Sequence, residues 1–140
     1  MCIINIVGEA MAEVDTLLIK SSDNLTIAEV AEEKKLYHVA ISRYYYSVLQ
    51  RMKYAVKLED PSFSPSATKS HVDIFHAFRT ITRNKYPKRG DYLKCLQEFY
   101  SLKQFRVMAD YENKMIDEAT FNINFKNKYN ALFHVLTIIC

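Results

Sequence analysis

Arg106 and Asp110 stand four residues apart, with Asn113 three further on, in the stretch Phe105-Arg106-Val107-Met108-Ala109-Asp110-Tyr111-Glu112-Asn113. On a helix, steps of three and four return to one face, so Phe99, Leu102, Arg106, Asp110 and Asn113 share a side. Phe99 and Leu102 belong to a stripe that should pack inward. A guanidinium keeps its charge, and setting it in line with such a stripe is costly unless it is paired or lines a cleft. Two kinds of chemistry fit. Arg106 and Asp110 can form an intrahelical ion pair that closes the end of a core helix. Alternatively, they can border a charged pocket that handles an anionic ligand.

The elements that must position these residues read as helices. The apolar-periodic run over residues 91–110 predicts the helix that carries Arg106, with Asp91 as its cap. A first helix is expected over residues 12–33, loosened at Ser21-Ser22-Asp23-Asn24, whose side chains compete for backbone hydrogen bonds. The next, over 37–58, carries Tyr37, Ile41, Tyr44, Tyr45, Val48, Met52 and Ala55 at helical steps, with Arg43, Ser47, Gln50, Tyr54 and Lys57 on the other side. Its tyrosine triplet 44–46 spreads around the circumference and predicts neighbours on several sides. Asp60-Pro61-Ser62-Phe63-Ser64-Pro65-Ser66 is the clearest loop. A third helix opens at Lys69-Ser70-His71 with Ser70 as N-cap and runs to about residue 83. A second loop, 84–90, holds Lys85, Lys88 and Arg89 and reads as a solvated basic turn. A final helix starts from a cap at Asp117, and Phe121, Phe125, Tyr129, Leu132 and Leu136 outweigh the strand-like alternation of 121–125. The fold class is all-α, an antiparallel bundle of four to five helices in a single domain over residues 1–140.

Composition supports this and narrows the function. The chain has 140 residues, 49% apolar and 25% charged, enough for a packed core and too apolar for disorder. Two glycines and three prolines are too few for a turn-rich β fold and nearly exclude a Gly-rich phosphate loop or a G-x-S-x-G elbow. A net charge of +3 permits a phosphate-bearing partner without requiring one. Cys2, Cys95 and Cys140 show no metal spacing, and no Glu-x-x-His pairs suggest a di-iron bundle, so neither a metal nor a cofactor is expected. Free thiols suit a reducing compartment, hence a cytoplasmic protein. The apolar start lacks a basic n-region, which argues against a secretory signal, and no run is long enough to span a membrane. Met11 is a candidate natural start, with residues 1–10 a loose extension.

Three stretches together resemble one family. Tyr37-His38-Val39-Ala40-Ile41-Ser42-Arg43-Tyr44-Tyr45-Tyr46 is similar to the A-I-x-R-x-Y-Y signature of HEPN domains. Lys69-Ser70-His71 followed by Ala77-Phe78 resembles the K-S-H…F opening of their next helix. Arg106-Val107-Met108-Ala109-Asp110-Tyr111 resembles the R-x-x-A-D-Y block of a small stand-alone branch. The resemblance covers roughly residues 25–136 and implies the HEPN helical bundle.

Many HEPN domains are metal-independent endoribonucleases of toxin–antitoxin, abortive-infection and CRISPR-linked systems. In these, an arginine and, after four to six intervening residues, a histidine meet their copies across a homodimer. The histidine moves protons around a ribose 2′-hydroxyl, and the arginine stabilises charge on the attacked phosphate. The resemblance therefore implies an RNA-directed cleft with Arg106, Asp110, Tyr111 and Asn113 as its catalytic group, Asp110 orienting Arg106. Arg43, Lys69 and His71 would bind substrate. Tyr111 matches a tyrosine that a partner nucleotidyltransferase antitoxin modifies in some toxins. The motif histidine has no counterpart: Asn113 holds its place, and an asparagine hydrogen-bonds but does not titrate. None of His38, His71, His76 and His134 follows an arginine at the required spacing. Proton transfer would then fall to His71 or Tyr111 brought in spatially. The alternative is a non-catalytic module that grips a nucleotidyltransferase or a nucleotide.

Overall fold

In a computed structural model, which describes residues 2–140 with side chains from Glu13 onward, the helices are α1 (Cys2–Glu33), α2 (Tyr37–Glu59), α3 (Ser70–Lys85), α4 (Gly90–Leu96), α5 (Glu98–Tyr111) and α6 (Asn127–Ile139). A π-helical turn, Thr120–Lys126, leads into α6, and no strand occurs among the described residues. Taking α4 with α5 and the π turn with α6 gives the five helical units expected. Residues 1–10, expected as a loose extension and including Cys2, lie outside the described side chains.

Paired contacts fix the directions. Lys57 meets Glu13, Ser21 meets Ser47 and Glu32 meets Tyr44, so α1 and α2 run antiparallel. Phe105 packs on Phe125 and Lys128 reaches Ser101, so α5 and α6 are antiparallel as well. Tyr44 with Phe125, Ser47 with Tyr129 and Arg51 with Phe133 advance together, so α2 and α6 run parallel. Helix α2 packs against α1, α3, α5 and α6 and is the centre of the bundle, as its tyrosine triplet requires.

Helix α1 is continuous where a loosening was expected. Ser21 Oγ donates to the Ser47 carbonyl at 2.6 Å, and Asn24 Nδ2 to Gln50 Oε1 at 2.8 Å. Bonds to a neighbouring helix remove the competition that would have broken the turn. Ser47, read as outward, is wholly buried and donates to the Tyr44 carbonyl. Ser70 is the first residue of α3 rather than its cap. Ser66 Oγ accepts the Lys69 N–H, and Asp73 accepts that of Ser66. Asp91 likewise sits inside the first turn of α4 and pairs with Arg89 at 2.7 Å. Asp117 does cap, accepting the Thr120 N–H at 2.7 Å. The wide π turn keeps residues four apart in line, and the rings of Phe121, Phe125, Tyr129 and Phe133 stack successively at 5.5–6.3 Å.

The single helix expected over 91–110 is divided at Gln97, where the N–H of Gln97 turns tightly to the Lys94 carbonyl at 3.2 Å. Just beyond the division, Phe99 stacks on Phe75 of α3 at 5.1 Å and on Tyr45 of α2 at 5.6 Å. That ladder clamps three helices. It also sets His71, one turn before Phe75, and Arg106, two turns after Phe99, on either side of Tyr45.

Candidate functional site

Arg106 is buried, with 9% of its side-chain surface exposed, and its guanidinium lies among ring faces: 5.3 Å from the centre of Tyr45, 5.9 Å from Tyr46 and 5.9 Å from Tyr111. Ring quadrupoles attract a cation, most strongly where water is excluded. The ion pair read from the sequence exists, but Asp110 Oδ2 stands 3.7 Å from Nη1, beyond hydrogen-bond length. Arg106 Nε is buried without a hydrogen-bond partner. The pair therefore leaves much of the guanidinium's donor capacity unspent.

What Arg106 borders is a cleft of about 320 Å³, lined by Thr68, Lys69, Ser70, His71, Val72, Lys103 and Arg106. Three of these are cationic and none is a carboxylate. The first backbone hydrogen bond of α3 runs from the Asp73 N–H to the Lys69 carbonyl. The N–H groups of Ser70, His71 and Val72 thus have no acceptor within the helix, and they lie at its positive end. A buried arginine, two lysines and a helix start around one hollow are complementary in charge to an anion, and a phosphate matches the geometry of the arginine fork.

His71 and Tyr45 complete it. Tyr45 Oη lies 2.9 Å from His71 Nδ1. Burial pushes the Tyr45 phenol up, against the opposing pull of Arg106, so it stays protonated. Burial pushes the His71 imidazole below its ordinary value, and the charges of Arg106 and Lys103 add to the effect. A neutral imidazole facing a cationic hollow can take a proton or donate a hydrogen bond, according to which ring nitrogen carries hydrogen.

The other predicted residues are placed differently. Arg43 is exposed on α2 and donates to Asn24 Oδ1 at 3.1 Å. It lines a second hollow of about 320 Å³ with His38, Ser42 and Asp110, on the far side of the Arg106–Asp110 pair. Ser42 Oγ stands 3.5 Å from Asp110 Oδ2. Tyr111 is largely exposed at the end of α5. Asn113 is exposed beyond the helix, because α5 stops at Tyr111 and Glu112 turns extended, so the face shared with Arg106 does not continue to it. The structure thus joins Arg106, Lys69 and His71, puts Asp110 and Arg43 behind them, and leaves Asn113 outside.

Lys103, which lines the cleft, and Tyr45, which contacts His71 beside it, escaped the sequence reading. Lys103 sits three residues before Arg106, a same-face spacing that was there to be read. Tyr45 was counted as core, which its ring is, and its hydroxyl role has no sequence signal. His38 Nε2 contacts the Lys114 carbonyl at 2.9 Å and ties the loop after α5 to α2. Among the described residues no group of side chains could hold a metal ion, and no helix is long and apolar enough to cross a membrane. Compared with protein-family models, curated proteins and solved structures, the chain matches none.

Proposed function

We propose that this protein is a HEPN-type, RNA-directed component of a bacterial or phage conflict system, a metal-independent endoribonuclease that works as a homodimer. The observation that carries this reading is the carboxylate-free cationic cleft in which buried Arg106 and neutral His71 share Tyr45. A backbone phosphate would sit against Arg106, Lys103 and the first turn of α3. With its proton on Nδ1, donated to Tyr45 Oη, His71 turns the lone pair of Nε2 to the cleft. It can then take the proton of a ribose 2′-hydroxyl as that oxygen bonds to phosphorus. The P–O5′ bond breaks and O5′ takes up a proton from water, leaving a 2′,3′-cyclic phosphate and a 5′-hydroxyl. The nucleophile comes from the substrate, so no metal is needed to generate it.

A second reading, a non-catalytic RNA or nucleotide binder that pairs with a nucleotidyltransferase, draws on the same contact. It applies when Tyr45 Oη is the donor and Nδ1 the acceptor of that contact. The ring hydrogen then sits on Nε2, where it can bind a phosphate oxygen but not accept a proton.

Cleavage of RNA in EDTA by the wild type, beside Arg106→Ala and His71→Ala, separates the two. The nuclease reading expects 2′,3′-cyclic phosphate ends from the wild type alone. Intact RNA throughout, with binding lost in Arg106→Ala, would establish the binder. Sedimentation showing only monomer at micromolar concentration would remove the dimeric cleft.

A further inference from the structure

The anion cleft does not end at His71. Ser70 and His71 also line a third hollow of about 240 Å³, walled by Leu17 and Lys20 of α1, Tyr46, Leu49, Gln50 and Lys53 of α2, and Pro65 and Ile74. One wall is thus common to a cationic hollow and to a largely apolar one that carries a tyrosine ring and a few polar tips. Its volume is below the roughly 300–1,000 Å³ of drug-sized sites and suits one planar ring system.

The polar tips have a fixed sense. Arg43 is a donor only, and its Nη1 stands 3.1 Å from Asn24 Oδ1, so the Asn24 oxygen faces Arg43. The Asn24 amide nitrogen then faces α2, donating to Gln50 Oε1 at 2.8 Å and to the Lys20 carbonyl at 3.0 Å. That bond occupies the Gln50 oxygen and leaves the Gln50 NH₂ to donate. Lys20 and Lys53 are donors too. Every polar side chain that α1 and α2 bring to this hollow, the phenol of Tyr46 apart, is set to donate.

We infer that this hollow is a nucleobase subsite for the nucleotide whose phosphate lies at Arg106, and that it selects oxo bases, guanine or uracil, over adenine and cytosine. On one edge guanine presents two acceptors, O6 and N7, and uracil presents O4, whereas adenine sets its N6 amino group beside N7 and cytosine its N4 amino group at that edge, donor against donors. Arg43 is a positioning residue: it touches the hollow only through Asn24 and Gln50. The inference rests on the reading of the cationic cleft as a phosphate site, and both can be tested together.

The experiment is calorimetric titration of the full chain with inorganic phosphate and with GMP, UMP, AMP and CMP. The expected result is binding of GMP, UMP or both about tenfold tighter than AMP, CMP and phosphate. Gln50→Glu, which keeps the acceptor for Asn24 but replaces the donor with an acceptor, should abolish or reverse the preference while phosphate affinity holds. Arg43→Ala frees the relay to flip and should narrow the preference in the same way. Leu17→Trp fills the hollow and should bring every nucleotide to the affinity of phosphate. Phosphate binding with four nucleotides no tighter than phosphate would overturn the base subsite and leave the anion cleft standing. Nucleotides that bind tightly without regard to base, or unaffected by Gln50→Glu, would overturn the selectivity. Failure of phosphate and nucleotides alike to bind would overturn both readings.

Discussion

Tyr45 Oη and His71 Nδ1 lie 2.9 Å apart, joining the central helix of the bundle to the first turn of α3 beside the buried charge of Arg106. The Tyr45 ring is wholly buried and its hydroxyl bonds His71. Removing the hydroxyl should therefore leave the packing and release the imidazole. Tyr45→Phe is expected to cost about 1–3 kcal/mol, the penalty of a part-buried ring nitrogen left unpaired. Urea denaturation reads that cost, and ¹⁵N shifts of His71 should show its tautomer mixture change. An unchanged tautomer would mean that Tyr45 does not set it.

Arg106 separates a structural pair from a binding site. Its carboxylate partner stands at 3.7 Å and its Nε has no partner, so the fold gains little from the charge. Arg106→Ala loses the ring contacts but relieves a desolvated cation, and the net change in stability should be within about 1 kcal/mol. Asp110→Asn should change it by less than about 0.5 kcal/mol, as for other half-exposed pairs. RNA affinity should fall more than about tenfold in Arg106→Ala, since a charge-assisted bond to phosphate is worth about 1.5–3 kcal/mol. Unfolding of Arg106→Ala would return the arginine to the role of a structural ion.

The pH dependence follows from His71, whose imidazole is held below its ordinary value of 6.5 by burial and by Arg106 and Lys103. As pH falls below 6.5 the unfolded chain takes up the proton first, so this group removes stability on acidification until the lower, folded value is reached. A bound phosphate places negative charge beside the ring and should raise that folded value. An NMR titration of the His71 Hε1 signal, with and without phosphate, checks both signs.

The salt dependence of RNA binding counts the contacts. With Lys69, Lys103 and Arg106 each on a phosphate, log affinity should fall against log salt with a slope of about −2, at roughly 0.7 per contact for a single strand. Lys103→Ala should flatten the slope by close to one contact. A slope near zero would mean that these charges do not meet the backbone.

The helical stripes carried most of the fold. Phe121, Phe125, Tyr129, Leu132 and Leu136 are all buried, as their spacing requires, even though a π turn intervenes. The division at Gln97 had no mark, because the residues around it are ordinary helix formers and the break is one tightened turn. Ser21 and Asn24 misled because their partners, Ser47 and Gln50, lie 26 residues away in the chain. In the site, Arg106 stood out as a charge in an apolar stripe, and its burial and its pairing with Asp110 were legible from that spacing. Arg43 was read as a ligand contact, yet its fork is turned to Asn24, a pairing that spacing within α2 does not reveal. Asn113 was placed by continuing a helical face past the point where α5 ends.

The central claim is that a phosphate group binds between Arg106, Lys103 and the first turn of α3. Titrating inorganic phosphate into ¹⁵N-labelled protein and following the backbone amides of Ser70, His71 and Val72 tests it directly. These three amides should move together and saturate, and Arg106→Ala should abolish the movement while the remaining spectrum stays folded. Amides that stay still at saturating phosphate, or that move equally in Arg106→Ala, would contradict it.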